Sequence, residues 1–152
     1  MNRIAGLCSF LIFAFALTAY AQGPSAKSDV PNLSAPGWKL LGSQPMVLPI
    51  SDGNVNVAVK AVVNIYENKS ANLLANVLLW KDSEVAMIYG DPNDDGSGVT
   101  MALKVNGTWY PAKNKGLQQL RATLVKGFDD DPIGFKLILE TVDGFKELVL
   151  NF

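Results

Sequence analysis

The amino-acid sequence predicts an all-β protein, an antiparallel up-and-down meander of about eight or nine strands forming a sandwich or a closed barrel. Two observations carry this expectation. Apolar residues recur at period two, most clearly from Val55 to Tyr66. Turn dipeptides separate the alternating runs: Asp52-Gly53, Asn106-Gly107 and Asp143-Gly144, with a weaker signal at Asp82-Ser83.

The chain opens with the three parts of a secretory signal. Arg3 supplies the positive charge, Leu7 to Leu17 form a mostly apolar run, and Ala19 and Ala21 place small residues at alternate positions. The run is shorter than the about 20 apolar residues that cross a bilayer. Residues 1–21 are therefore expected as a cleaved signal, and the mature chain is expected to have no membrane span. Gln22 rather than a cysteine would follow the cut, so lipid attachment there is not expected. Residues 22–37 contain Pro24, Pro31 and Pro36 and read as a flexible tether. Residues 38–152 then form a single β domain.

Within that domain the first hairpin is expected to turn at Asp52-Gly53, setting Ile50 opposite Val55, Leu48 opposite Val57 and Met46 opposite Val59. Pro45 and Pro49 cannot donate to a ladder, which places the first arm at a sheet edge. Folding at Asp82-Ser83 pairs Trp80 with Val85 and brings Leu78 toward Met87. A helix from Ser70 competes with that strand, because Leu73, Leu74, Val77 and Leu78 also have helical spacing. At Asn106-Gly107, Val105 meets Thr108, Lys104 meets Trp109 and Leu103 meets Tyr110. Leu117, Leu120 and Leu124 leave a strand and one short helix as alternatives near residues 115–126. Asp143-Gly144 is expected to set Leu139 opposite Leu148, Leu137 opposite Leu150 and Phe135 opposite Phe152.

Composition removes several chemistries. Of 152 residues none is histidine, and the one cysteine, Cys8, lies in the expected signal. The usual serine and cysteine triads, histidine-ligated metal sites and imidazole bases are therefore excluded. Loss of a 21-residue signal leaves 131 residues, enough for one self-sufficient core. Without Arg3 the basic count falls from 13 to 12 against 14 acidic residues, a balance of −2, and Arg121 is then the one arginine. A nucleic-acid partner would call for clustered Lys and Arg, so none is expected. A cysteine-free exported domain fits a bacterial periplasm better than a eukaryotic secretory route, where small domains are usually stapled by disulfides.

Three groups of residues merit attention as sites. Trp109 and Tyr110 stand beside a tight turn, where an exposed aromatic face can stack on a sugar ring, although core packing is the ordinary role of such residues. Glu140 and Glu147 would face each other across the last hairpin, as a carboxylate hydrolase requires, unless Lys136 and Lys146 merely neutralise them at a wet surface. Asp91, Asn93 and Asp95 with Gly96 match the opening of a calcium loop. That match fails at Ala102, where a bidentate glutamate belongs, so Glu67 or Asp143 would have to complete the shell. An ordinary hairpin loop uses the same residue types.

The expected function is that of an exported non-enzymatic β domain, in a bacterial periplasm or outside the cell, acting as a binding or interaction module. One alternative is a small barrel holding an apolar molecule in its interior. Another is a carboxylate-based hydrolase. The closing run Leu148, Leu150, Phe152 resembles the last strand of outer-membrane barrels, but most strands here fall short of the about 9 to 11 residues such barrels use.

Overall fold

The computed structural model describes residues 30–152. The expected signal and the first part of the expected tether lie outside them. The described residues form nine strands: β1 (Lys39–Asp52), β2 (Val55–Asn68), β3 (Leu73–Trp80), β4 (Ser83–Gly90), β5 (Thr100–Val105), β6 (Thr108–Pro111), β7 (Leu120–Lys126), β8 (Pro132–Thr141) and β9 (Gly144–Asn151). The first six make one sheet in the order β1-β2-β3-β4-β5-β6, and the last three make another, β7-β8-β9. Every neighbouring pair is antiparallel. The meander is thus divided between two sheets and does not close into a barrel. No helix among the described residues is long and apolar enough to cross a membrane.

Period-two alternation dictates how the sheets meet. The inner residues Leu48, Ile50, Val59, Ala61 and Val63 of the first hairpin join Leu78, Ile88, Met101 and Leu103 in one buried cluster. The smaller sheet covers it with Leu120, Ala122 and Leu124 of β7 and Phe135, Leu137 and Leu139 of β8. Each fully buried Leu, Ile or Phe there contributes roughly 1.5–3 kcal/mol over leaving it in water. Trp80 meets Phe135 edge-on at 5.2 Å, and Phe152 stacks on Phe135 at 6.0 Å, closing the end of the core. Lys126 reaches Asp52 at 3.6 Å and links β7 to the tip of the first hairpin.

The six-stranded sheet buries residues on its outer face as well. Ala75, Val77, Met87, Tyr89 and Ala102 form a second cluster, against which Val30, Leu33, Trp38, Tyr66, Leu79 and Trp109 pack. Among the described residues, Val30 and Leu33 already pack on this cluster ahead of Trp38, within the stretch that the sequence reads as a tether. Two apolar side chains, Val30 and Leu33, have a floor to cover. Pro31 and Pro36 keep the segment out of a ladder, and it runs in turns in which Ser34 N–H donates to Asn32 Oδ1 at 3.0 Å.

Turn chemistry corrects the expected registers of the two Asp-Gly hairpins. The first hairpin turns at Gly53-Asn54, pairing Ile50 with Val57 and Leu48 with Val59. Gly53 has φ +64° while Asn54 is not in the left-handed region, the pattern of a type II′ loop with glycine first. The last hairpin turns at Val142-Asp143 and pairs Phe135 with Leu150 and Leu137 with Leu148. There Gly144 takes φ +98° after the turn, and Thr141 Oγ1 accepts from Asp143 N–H and donates to Gly144 O. Both shifts are two residues long, so the buried faces are those expected.

The remaining hairpins divide. Asn106-Gly107 has both residues at positive φ, and its expected pairs are all present. The β3–β4 turn falls on Lys81-Asp82, both at positive φ, and not on Asp82-Ser83. Residues 73–80 form a strand and no helix from Ser70. Near 115–126 the strand alternative is realised, as β7, after an irregular crossing between the sheets.

Candidate functional site

The outer face of β4, β5 and β6 carries a groove of about 490 Å³, walled on one side by the segment from Val30 to Ser34. Its sheet side is formed by Glu84, Met87, Lys104, Trp109 and Pro111. The Asn106-Gly107 turn sets Lys104 opposite Trp109. Lys104 Nζ lies 5.5 Å from the indole centroid, within cation–π reach.

Glu84 reaches this face through a bulge. Leu79 pairs with Glu84 but Leu78 pairs with Ala86, so Val85 is the extra residue. Val85 and Ala86 both turn toward the inner core, and Glu84 is re-aimed to the outer side beside Leu79. Its Oε1 accepts from Lys104 Nζ at 3.1 Å. Both side chains keep about a third of their surface in water (38% and 30%), so the pair adds little stability but fixes where the two charges stand. A second, more open hollow of about 680 Å³ shares Glu84 and Lys104 and continues toward Leu148 and Leu150 of β9.

Of the two expected aromatic ligand residues, only Trp109 faces this groove. Tyr110 is the next residue on β6 and points to the opposite side, opposite the core residue Leu103, with Lys146 Nζ 4.6 Å from its ring. Sequence adjacency on a strand separates side chains, so the two do not form one site.

The carboxylate pair of the last hairpin is not formed as expected. Glu140 stands opposite Phe145 and Glu147 opposite Ile138. Lys113 approaches Glu140 at 4.0 Å, and Lys136 approaches Glu147 at 3.4 Å. Each glutamate thus has a lysine of its own.

In the loop between β4 and β5, the acidic side chains are turned onto the chain itself. Asp91 Oδ1 accepts from Asn93 N–H at 2.7 Å, and Asp91 Oδ2 accepts from Asn72 Nδ2 at 2.7 Å. Asp94, which the calcium pattern did not single out, is buried and accepts from Gly96 N–H at 2.7 Å and Gly98 N–H at 2.9 Å. Asp95 accepts from the hydroxyl and the N–H of Ser97, which together hold its carboxyl below the ordinary carboxylate range. Asn93 is exposed, and no three acidic side chains among the described residues come together as cation ligands. Asp91 and Asp95 thus turn carboxylate oxygens onto N–H groups of their own loop.

Glu84, Met87 and the Val30–Ser34 wall were not among the residues the sequence singled out. Comparison with protein-family models, curated proteins and solved structures gave no match for this chain.

Proposed function

We propose that this protein is an exported, non-enzymatic binding module whose ligand seat is the groove beside Trp109. The groove carries the reading. It is concave, its volume of about 490 Å³ falls within the about 300–1,000 Å³ usual for small-molecule sites, and it combines an indole with one fixed pair of charges. A mature chain without histidine or cysteine supports binding rather than catalysis. Arg3, the apolar run that follows and the small residues before Gln22 support export to a periplasm or the outside of the cell.

A fragment screen read by amide and methyl chemical shifts tests the seat. Hits are expected to perturb Met87, Lys104, Trp109 and Leu33 together. Hits that perturb β7–β9 and leave those four unmoved would overturn the assignment.

A further inference from the structure

We infer that the groove beside Trp109 takes a neutral polyhydroxylated ring, a sugar unit of an uncharged glycan. This deepens the ligand-seat reading and rests on it. Among the described residues, Glu84 and Lys104 are the only charged ones lining the groove, and they neutralise one another at 3.1 Å. An anionic ligand would draw Lys104 away and leave the Glu84 carboxylate unpaired against a partly buried wall. A cationic ligand would do the reverse. A hydrocarbon would strip water from both groups and return no hydrogen bond, which is costly for charged groups.

Neighbouring hydroxyls avoid all three penalties. One donates to the Glu84 carboxylate while the next accepts from the Lys104 ammonium, and the ion pair stays intact. Hydrogen bonds to charged partners of this kind are the stronger class. The C–H face of such a ring is apolar and flat, and it matches the indole of Trp109, with Pro111 extending the contact. Lys104 Nζ lies over the indole, 5.5 Å from its centroid, so a ring set against Trp109 comes within reach of the ammonium. Asn32 and Ser34 on the opposite wall add uncharged hydrogen-bonding groups.

The experiment follows Trp109 fluorescence in the Trp38→Phe, Trp80→Phe protein. Three sets of probes are titrated: neutral trisaccharides (cellotriose, maltotriose, mannotriose, chitotriose), trigalacturonate, and decanol. Saturable binding of a neutral trisaccharide is expected, weakened about tenfold or more in Glu84→Gln and in Lys104→Met, as loss of one charge-assisted hydrogen bond implies. Trp109→Ala, followed by calorimetry, is expected to abolish it. Glu84→Gln and Lys104→Met change partly exposed groups, so they report on binding even if Trp109→Ala misfolds. Trp109-dependent binding of trigalacturonate or decanol alone would overturn the sugar assignment and leave the seat standing. Saccharide binding that survives all three substitutions would overturn the sugar assignment at this groove. No response of Trp109 to any of the three sets would overturn both the assignment and the seat.

Discussion

Gly98 donates its N–H to the Asp94 carboxylate at 2.9 Å, and the approach is so close that a side chain at Gly98 would collide with Asp94 Oδ2. Asp94 is 3% exposed and also holds Gly96, so one carboxylate folds the whole loop back on itself. Asp94→Ala is expected to cost about 1–3 kcal/mol in chemical denaturation, the usual penalty for leaving buried donors unpaired. Gly98→Ala should destabilise in the same direction. Because the loop is closed by its own N–H groups, millimolar calcium is expected to leave the melting temperature unchanged. A calcium-dependent rise removed by Asp91→Ala would contradict this account.

Asp95 gives the loop a pH signature. Its folded carboxyl is depressed by the Ser97 hydroxyl and N–H, so its contribution is full above the unfolded pKa and is lost as pH falls through the lowered folded value. Ser97→Ala should therefore lower stability at neutral pH and have no effect once Asp95 is protonated. Melting curves from neutral to strongly acidic pH measure the difference.

Asn76 is completely buried, and neither its amide nitrogen nor its oxygen has a hydrogen-bond partner among the described residues. It pairs with Ile65 on one side and Ile88 on the other, in a strand where valine fits. Asn76→Val is expected to stabilise the protein by about 1–3 kcal/mol, because two unpaired polar atoms leave the interior. A lower denaturation midpoint would show that the amide has a partner, such as an internal water.

Leu137 is fully buried opposite Leu148, whereas Leu150 is only half-buried and Lys136 faces outward. Leu137→Ala should cost about 2–5 kcal/mol. Leu150→Ala should cost less, and Lys136→Ala, which loses only the contact with Glu147, at most about 1 kcal/mol. A double-mutant cycle should find stronger coupling of Leu148 to Leu137 than to Leu139. The reverse order would restore the register that a two-residue turn at Asp143-Gly144 implies.

Limited proteolysis should spare the chain from Val30 onward, since Val30 and Leu33 pack on the outer cluster. Leu33→Asp is expected to open residues 30–37 to cleavage while leaving the strands intact. Equal cleavage rates in the two proteins, followed by mass spectrometry, would mean that the packing does not protect the segment.

What was legible in the sequence was local. Asn106-Gly107 could be read to the exact pair because a type I′ loop needs two residues at positive φ, and asparagine and glycine supply them. Asp-Gly was ambiguous: Gly53 opens its loop and Gly144 follows its turn, so the same dipeptide marks two different geometries. The buried faces were still right because parity survives a two-residue shift. The crossing between the sheets depends on contacts distant in sequence, and the helically spaced Leu117, Leu120 and Leu124 could not reveal it. For the same reason Trp109 was visible as a candidate while Glu84 was not. The bulge at Val85, which turns Glu84 outward, leaves no mark in the alternation of β4.

The division of the meander into two sheets has a consequence for biosynthesis. Residues 39–111 hold all six strands of the larger sheet, and every strand of the smaller one follows them in the chain. Until β7 and β8 follow, the inner faces of Val63, Leu78, Ile88, Met101 and Leu103 have nothing to cover them. An apolar sheet in that condition is prone to join another nascent copy. A chain stalled or truncated before Leu120 should therefore aggregate or be held by chaperones, and delivery of the last three strands is what ends that exposure.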